Sequence, residues 1–485
     1  MLVQEKAYVR YIGFLILVVG TAAAIFLGHL SGSTPLVAGI VPIFIILALC
    51  VFFQFENTVL ALLIFRSAID IFSEQQLPAV FAVSVDMLTI SYVGITLLCG
   101  REVKVDKFFW LLCGWIAFQS IWVILLPLGG LGLGGEHLFE SLKEWVRQFS
   151  WVMAYLLVLQ MRDRMSPNRF INILFLSLVL PMIAGILQLA LPASALPEFL
   201  VTRGHAFTAV ANASRINGTL GHPNTFVTFL LLFVSLTYWK VENNRDKKPW
   251  LILLGILVFF IVSTKALIGL VMLAAMIGFL IVSRITLVKL IAGILFVVCV
   301  FGLFASTEFG RERLGLFLEI PFFNPDLDIS RAIAMRKLTL NSFYWRLEQW
   351  NYLLDAWRSQ VWLGYGFKSA PLLSPLEAAP HNDYIRILVE SGIVGYFSFI
   401  YLILIQFTKL FRVVRSQLSV PSQRGFCFSL AGLLVAILVG MLTENIWSHT
   451  TLFFYWFVLL AVASWNWEEE TAAPSSSLSS AGLSP

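Results

Sequence analysis

Long uncharged runs of apolar residues dominate the chain and set its predicted architecture. A helix satisfies its own backbone hydrogen bonds, and about 20 apolar residues in helical form cross the hydrocarbon layer of a membrane. The pattern therefore predicts an all-α, polytopic integral membrane protein with about fourteen transmembrane helices. The predicted spans are 11–29, 34–53, 57–73, 79–99, 108–128, 145–161, 168–191, 223–239, 250–264, 266–283, 287–305, 384–408, 425–442 and 450–466.

The positions of Lys and Arg orient these spans. With the N-terminus placed inside, the short segments predicted on the cytoplasmic side hold more than half of the 33 Lys and Arg. Short cytoplasmic loops are enriched in these residues, whereas long loops are largely exempt from the rule. The even number of spans then predicts that both termini are cytoplasmic.

The polar segments between the spans differ in length and character. The predicted outer side carries a medium loop, 192–222, and one long loop, 306–383. The glycine-rich stretch 129–135 predicts a flexible turn rather than a phosphate cradle, because no strand precedes it and no Gly-Lys-Ser follows. The serine-rich end, 467–485, predicts a disordered cytoplasmic tail.

Composition supports a membrane protein and excludes two kinds of site. Hydrophobic residues make up 59% of the chain and charged residues 13%, against roughly 25% charged in soluble domains. The five cysteines form no Cys-x-x-Cys pair, so neither a disulfide framework nor a zinc site is expected. The first apolar run lacks a clear small-residue cleavage site and predicts a retained span rather than a signal peptide.

The outer face gathers the histidines and a set of cations. All six histidines fall at this face, and none are spaced i, i+4, so we interpret them as interfacial residues rather than as a metal site. The outer cations are either solvated or paired with loop carboxylates, or they bind an anionic group, for which the planar fork of arginine is suited. They are Arg203, Arg215, Lys265, Arg346 and Arg386.

Residues 341–358 within the long loop predict an amphipathic helix. One face carries apolar residues at spacings of three or four, and the opposite side carries Arg346 and other charged residues. Such a helix either lies in the bilayer interface or packs on the outer ends of the spans. The apolar face is Tyr344, Leu347, Trp350, Leu354 and Trp357, and a tight turn at 363–367 follows.

Polar residues also mark the start of the span that follows the long loop. Asn382 or Asp383 is expected to cap this helix, which places His381 at the membrane surface. Glu390 lies about two turns deeper, where a carboxylate needs a partner, and the spacing indicates Arg386. Arg66 and Asp70 have the same spacing and predict a second, structural pair, with Asp86 nearby.

Four groups of residues resemble the O-antigen ligase and polymerase superfamily of bacterial membrane glycosyltransferases, over roughly residues 200–400. One departure is Lys265, where many relatives have Arg, so the charge is kept but the bidentate geometry is lost. The groups are the Arg215-to-Asn224 segment with His222; Ser263-Thr264-Lys265; Arg346 with the Trp-rich helix and the Leu363-Gly364-Tyr365-Gly366 turn; and His381-Asn382-Asp383-Tyr384 through Glu390-Ser391-Gly392-Ile393-Val394-Gly395.

The resemblance implies an enzyme of the bacterial plasma membrane with its active site at the outer, periplasmic face. Its donor would be a glycan on polyprenyl diphosphate, and its acceptor a hydroxyl of a glycan, of lipid A core or of a protein. No cofactor, metal or nucleic acid is expected. We assign transition-state stabilisation to Arg215 and Arg346, and general-base catalysis to His381, which alternatively binds phosphate. The expected substrate-binding residues are Arg203, His222, Asn224, Lys265, Asn382, Arg386 and Glu390.

These predictions divide the chain into four parts and leave other functions open. Residues 1–200 are N-terminal spans, 201–400 the catalytic region, 401–466 C-terminal spans and 467–485 the tail. A transporter or flippase of lipid-linked glycan is the first alternative, although transporters place their sites at the midplane of repeated halves. A structural partner in polysaccharide export is another. Polymerase, ligase and protein O-glycosylation are not separated by the sequence.

Overall fold

A computed structural model describes residues 54–73, 76–128, 135–201, 215–282, 287–308, 310–311, 314–315 and 342–467. Every regular element within these ranges is helical. Predicted spans 11–29 and 34–53, Arg203, most of the glycine-rich stretch and the tail from residue 468 lie outside the described residues.

Fourteen α-helices of the described ranges are labelled here in chain order. A short 3₁₀ segment, Phe175–Leu178, joins α5 to α6, so that these two form one continuous span. The helices are α1 (Phe55–Arg66), α2 (Leu77–Leu98), α3 (Lys107–Leu128), α4 (Gly135–Leu159), α5 (Pro167–Leu174), α6 (Val179–Ala190), α7 (Pro223–Asn243), α8 (Lys248–Ser263), α9 (Leu267–Val282), α10 (Leu287–Ser306), α11 (Ser342–Trp357), α12 (Asp383–Arg415), α13 (Pro421–Gly440) and α14 (Thr450–Val462).

The lengths and apolarity of these helices identify a multi-pass membrane protein. Within the described ranges, six helical stretches are long and apolar enough to cross a bilayer. They include α2, α7, α12 and α13. Helices α8, α9, α10 and α14 are apolar but shorter.

Helix α14 forms the centre of the bundle. Every residue from Thr451 to Val462 is buried, as expected for a helix that is apolar on all sides. Helices α4, α7 and α12 pack around it, with Trp151 against Phe453 and Phe457, and Trp456 donating to Gln406. This core fixes the connection 441–449, which carries a residue of the site.

The predicted span 57–73 is shorter in the structure, because α1 ends at Arg66. The predicted pair with Asp70 is confirmed at 2.6 Å, and Arg66 also donates to Thr450. These polar contacts turn the chain out of the helix. Asp86 is not part of this cluster, since it accepts a hydrogen bond from Ser150 at 2.6 Å.

Helix α12 is broken at Gly392, and a turn of the preceding loop fills the break. Gly392 has φ of 63°, so the helical hydrogen bonds are interrupted there. The turn 361–366 replaces them: the amides of Tyr365 and Gly366 donate to the carbonyls of Val389 and Glu390. On the other side of the break, Ile393 and Val394 donate to the carbonyls of residues 361 and 362. The two glycine motifs noted in the sequence are thus halves of one structure.

We expect Gly392→Ala to destabilise the protein by more than about 2 kcal/mol. A left-handed backbone costs an ordinary residue about 1–2 kcal/mol, and the new Cβ would overlap the carbonyl of Trp362. Thermal unfolding in detergent measures the effect. Gly94→Ala in α2 is the control, because nothing lies within 4 Å of its Cβ position. Equal melting temperatures for the two variants would contradict the strain at the break.

Candidate functional site

His381 and Glu444 form the centre of the candidate site. Nδ1 of His381 lies 2.7 Å from Oε1 of Glu444. His381 directly precedes the cap of α12, with φ of 50°, and its side chain is 35% exposed. Glu444 lies in the connection between α13 and α14, and its side chain is only 6% exposed. An accessible imidazole is therefore held by a buried carboxylate.

A chain of hydrogen bonds connects this pair to the segment that begins at Arg215. Oε2 of Glu444 accepts from the side-chain amide of Asn224. Oδ1 of Asn224 accepts from Arg215 at 3.4 Å, and Nε of Arg215 donates to the carbonyl of Thr264 at 3.0 Å. The structure thus brings together Arg215, Asn224 and His381, as the sequence predicted.

The fold fixes Asn224 and Arg215 through the start of α7. His222 is the N-cap of this helix, and its Nδ1 accepts from the amide of Asn224. Gln188 of α6 holds the preceding turn, because its side chain accepts from the amides of Asn217 and Gly218. His222 therefore has a structural contact beside the predicted substrate-binding role.

Helix α11 brings Arg346 close enough to the His381–Glu444 pair for its charge to act there. Gln349 and Trp350 donate to the carbonyls of Ala378 and Pro380, so the helix and the loop before His381 form one unit. The ring of Trp345 lies 5.6 Å from that of His381, edge to face. Arg346 follows directly, and its positive charge acts on Glu444.

The buried face of α11 differs from the predicted one. Tyr344, Glu348, Gln349 and Leu353 are buried, whereas Leu354 of the predicted face is exposed. The helix packs against α12 and the turn Ala370–Leu373. The hydroxyl of Ser374 donates a hydrogen bond to the side chain of Gln349. Polar contacts with this neighbouring loop therefore set the orientation of α11. The spacing of apolar residues along the sequence carries no information about these contacts.

Glu444 is held as a carboxylate. Burial raises the pKa of Glu444, but the hydrogen bond with His381 and the charge interactions with His381 and Arg346 lower it more, to well below its usual range. An ionised carboxylate accepts a hydrogen bond from Nδ1–H of His381. That tautomer directs the lone pair of Nε2 away from Glu444, where it can accept a proton.

A second, fully buried polar cluster lies beneath this pair. Asp383 binds Arg386 at 2.9 Å and accepts from the amide of Trp447 at 2.7 Å. Arg386 also donates to Ser448 at 2.6 Å. The direct contact of Arg386 is therefore with the carboxylate at i−3, while its charge also acts on Glu390, the partner that the sequence predicted.

Glu390 instead faces a small interior cavity. With Glu144, Gln148 and Arg386 it lines about 20 Å³ of space, enough for one water molecule. Asn382 is also buried, and its side chain caps α12 by accepting from the amide of Ile385. Asn382, Arg386 and Glu390 thus support the helix that carries His381, and they do not line its exposed side.

Comparison with models of protein families gives a match to part of the chain. Residues 249–400 match the model of the O-antigen ligase family. The chain thus carries an O-antigen ligase segment at residues 249–400. No curated protein matches the sequence. The matched segment includes Lys265, Arg346 and His381, and it supports a membrane glycan ligase or polymerase family.

Two site residues of this O-antigen ligase relative lie outside the matched segment on the N-terminal side, and one lies beyond it. Arg215 and Asn224 precede residue 249, and Glu444 follows residue 400. Because hydrogen bonds connect all three to His381, the site extends past the family segment.

Sequence reasoning missed Glu444, although one signal was present. It is a lone carboxylate in the short connection 441–449 between two apolar runs, on the same predicted face as His381. A buried carboxylate at a span end needs a partner.

Lys265, in turn, is half-buried in a left-handed turn directly after Thr264, whose carbonyl binds Arg215.

Proposed function

We propose that the chain transfers a glycan from polyprenyl diphosphate to a hydroxyl acceptor at the outer leaflet of the bacterial plasma membrane. The observation that supports this most is the buried Glu444 against the exposed His381, beside cations brought from three separate segments. It is the arrangement expected for a base next to a leaving anion.

The proposed step is a single displacement at the anomeric carbon. Nε2 of His381 takes the proton of the acceptor hydroxyl as its oxygen forms the new glycosidic bond. The bond between the anomeric carbon and the diphosphate breaks, and the polyprenyl diphosphate leaves with the electron pair. The carboxylate of Glu444 stabilises the imidazolium that forms.

Arg215 and Arg346 would stabilise the charge that grows on the diphosphate. Arg215 is oriented by Thr264 and Asn224, and Arg346 by the docking of α11. Fixed cations aimed at developing charge lower the barrier more than mobile ones, because no reorganisation is needed. Lys265 and Arg203 are proposed to support binding of the same group, and His222 and Asn224 to contact the glycan.

Purified protein in lipid vesicles with a polyprenyl-diphosphate glycan tests this function. We expect release of polyprenyl diphosphate in step with growth or transfer of the glycan. A ladder of longer glycans would identify a polymerase, and transfer only to an added lipid or protein acceptor would identify a ligase or a protein glycosylase. With its acceptor supplied, movement of intact donor between leaflets without bond cleavage would contradict the proposal and favour transport.

A further inference from the structure

The turn 361–366 belongs to the long loop that the sequence places outside the membrane, yet it is bonded to two helices that are long and apolar enough to cross it. The carbonyls of residues 361, 362 and 363 all accept hydrogen bonds, from Ile393, Val394 and the indole of Trp122. The amides of residues 364, 365 and 366 all donate to protein carbonyls. Five of these six bonds join the turn to α3 and α12, and backbone at membrane depth needs such protein partners.

The depth of this turn in the bilayer can be estimated by counting residues along the helices from the opposite, predicted cytoplasmic end of the bundle. There, Lys409 of α12 binds Asp106, the residue before α3, at 3.1 Å, so these two residues share one level. Lys104 and Asp163, just beyond, are an exposed ion pair, which indicates that the polar boundary is close.

Two helices give nearly the same distance between the turn and the Asp106–Lys409 pair. At about 1.5 Å per residue, Trp122 lies about 24 Å along α3 from Asp106, and Val394 about 22 Å along α12 from Lys409. Both contact the turn, through the carbonyls of Leu363 and Trp362. Since the hydrocarbon layer is about 30 Å thick, the turn lies roughly 6–8 Å inside its outer boundary.

The side chains of the turn fit that position. Trp362 is 70% exposed and Leu363 is 41% exposed, at the height where the indole of tryptophan prefers the boundary between acyl chains and headgroups. We infer that turn 361–366 re-enters the bilayer from the outer side and that Trp362 and Leu363 contact lipid near this boundary. The occupant of this surface is the bilayer lipid itself.

This contact would set the height of the catalytic segment. The turn is bonded on both sides of the break in α12, which begins beside His381. Lipid contact at Trp362 thus fixes how far His381 stands above the hydrocarbon layer. The inference does not depend on the reaction proposed above.

Depth-dependent fluorescence quenching tests the position. A fluorescent amino acid of tryptophan size replaces Trp362 in the full chain, which is reconstituted in phosphatidylcholine vesicles without donor. Lipids with a nitroxide at acyl carbon 5 or carbon 12, and aqueous iodide, serve as quenchers. The same probe at Phe259, exposed within α8, and at Leu418, exposed between α12 and α13, provides lipid and water references.

We expect the largest loss of intensity at position 362 with the carbon-5 nitroxide, and little with iodide. Quenching by iodide, as at Leu418, would place the turn in water and overturn the inference. Stronger quenching by the carbon-12 nitroxide would place it deeper and overturn the height. Quenching that appears only when a polyprenyl lipid carries the nitroxide would assign the surface to the donor chain instead.

Discussion

His381→Ala should lower the rate of glycan transfer by about 10²–10⁴-fold, the range that a positioned general base supplies. The loss should appear in kcat, because the imidazole acts on the acceptor proton in the transition state and not on the bound donor. Release of polyprenyl diphosphate under saturating donor measures it. A rise in KM for the donor with kcat unchanged would instead identify His381 as a phosphate ligand.

Glu444→Gln tests whether the histidine acts through its carboxylate partner. Glutamine keeps the shape and can still bond to Asn224, but it no longer stabilises an imidazolium or enforces the tautomer that leaves Nε2 unprotonated. The single variant should therefore lose most of the same activity. Because the two residues act as a unit, the double variant should be hardly slower than His381→Ala alone.

Stability measurements distinguish a loss of catalysis in these variants from a loss of folded protein. Glu444 is buried, and removal of its charge also alters contacts with Asn224, so the melting temperature of each variant is measured beside its rate. Multiplicative losses in the double variant, with both chains folded, would mean that His381 and Glu444 contribute independently, which contradicts the proposed pair.

The sequence predicted helices and helix starts well, because both depend on local chemistry. The apolar runs located the apolar helices of the described ranges, and Asn382 caps α12 as expected. The i, i+4 rule gave the direct contact for Arg66 and Asp70, whereas Arg386 contacts Asp383 directly and acts on Glu390 through its charge. On a helix an arginine has neighbours on both sides, and the contact of Asp383 with the distant amide of Trp447 decided between them.

The site was predictable only in part, because its connections join distant segments. Charge type and predicted face made His381, Arg215 and Arg346 candidates, and the family resemblance supplied their proposed roles. They did not reveal Glu444, whose partners Asn224 and His381 come from other parts of the chain. The break in α12 was likewise not predicted, since a glycine motif alone does not indicate which distant turn packs against it.

Arg215→Ala should lower transfer by about 10²–10³-fold, as removal of one fixed donor to a developing anion does. The structure explains why this arginine is expected to matter: Thr264 and Asn224 hold its guanidinium in one orientation. The rate of polyprenyl diphosphate release is the measurement. Arg358→Ala is the matched control, because that arginine is 76% exposed and pairs with Asp355 at the end of α11.

Arg215→Lys distinguishes geometry from charge. Lysine keeps the positive charge but cannot donate the two parallel hydrogen bonds of a planar fork, so an intermediate rate is expected. A rate equal to that of the native chain would show that charge alone is needed at this position. The charge of Lys265 would then be expected to act in the same way, and the held orientation of Arg215 would have no catalytic effect. A rate as low as that of the alanine variant would place the whole effect in the bidentate contact, which the hydrogen bonds to Thr264 and Asn224 preorganise.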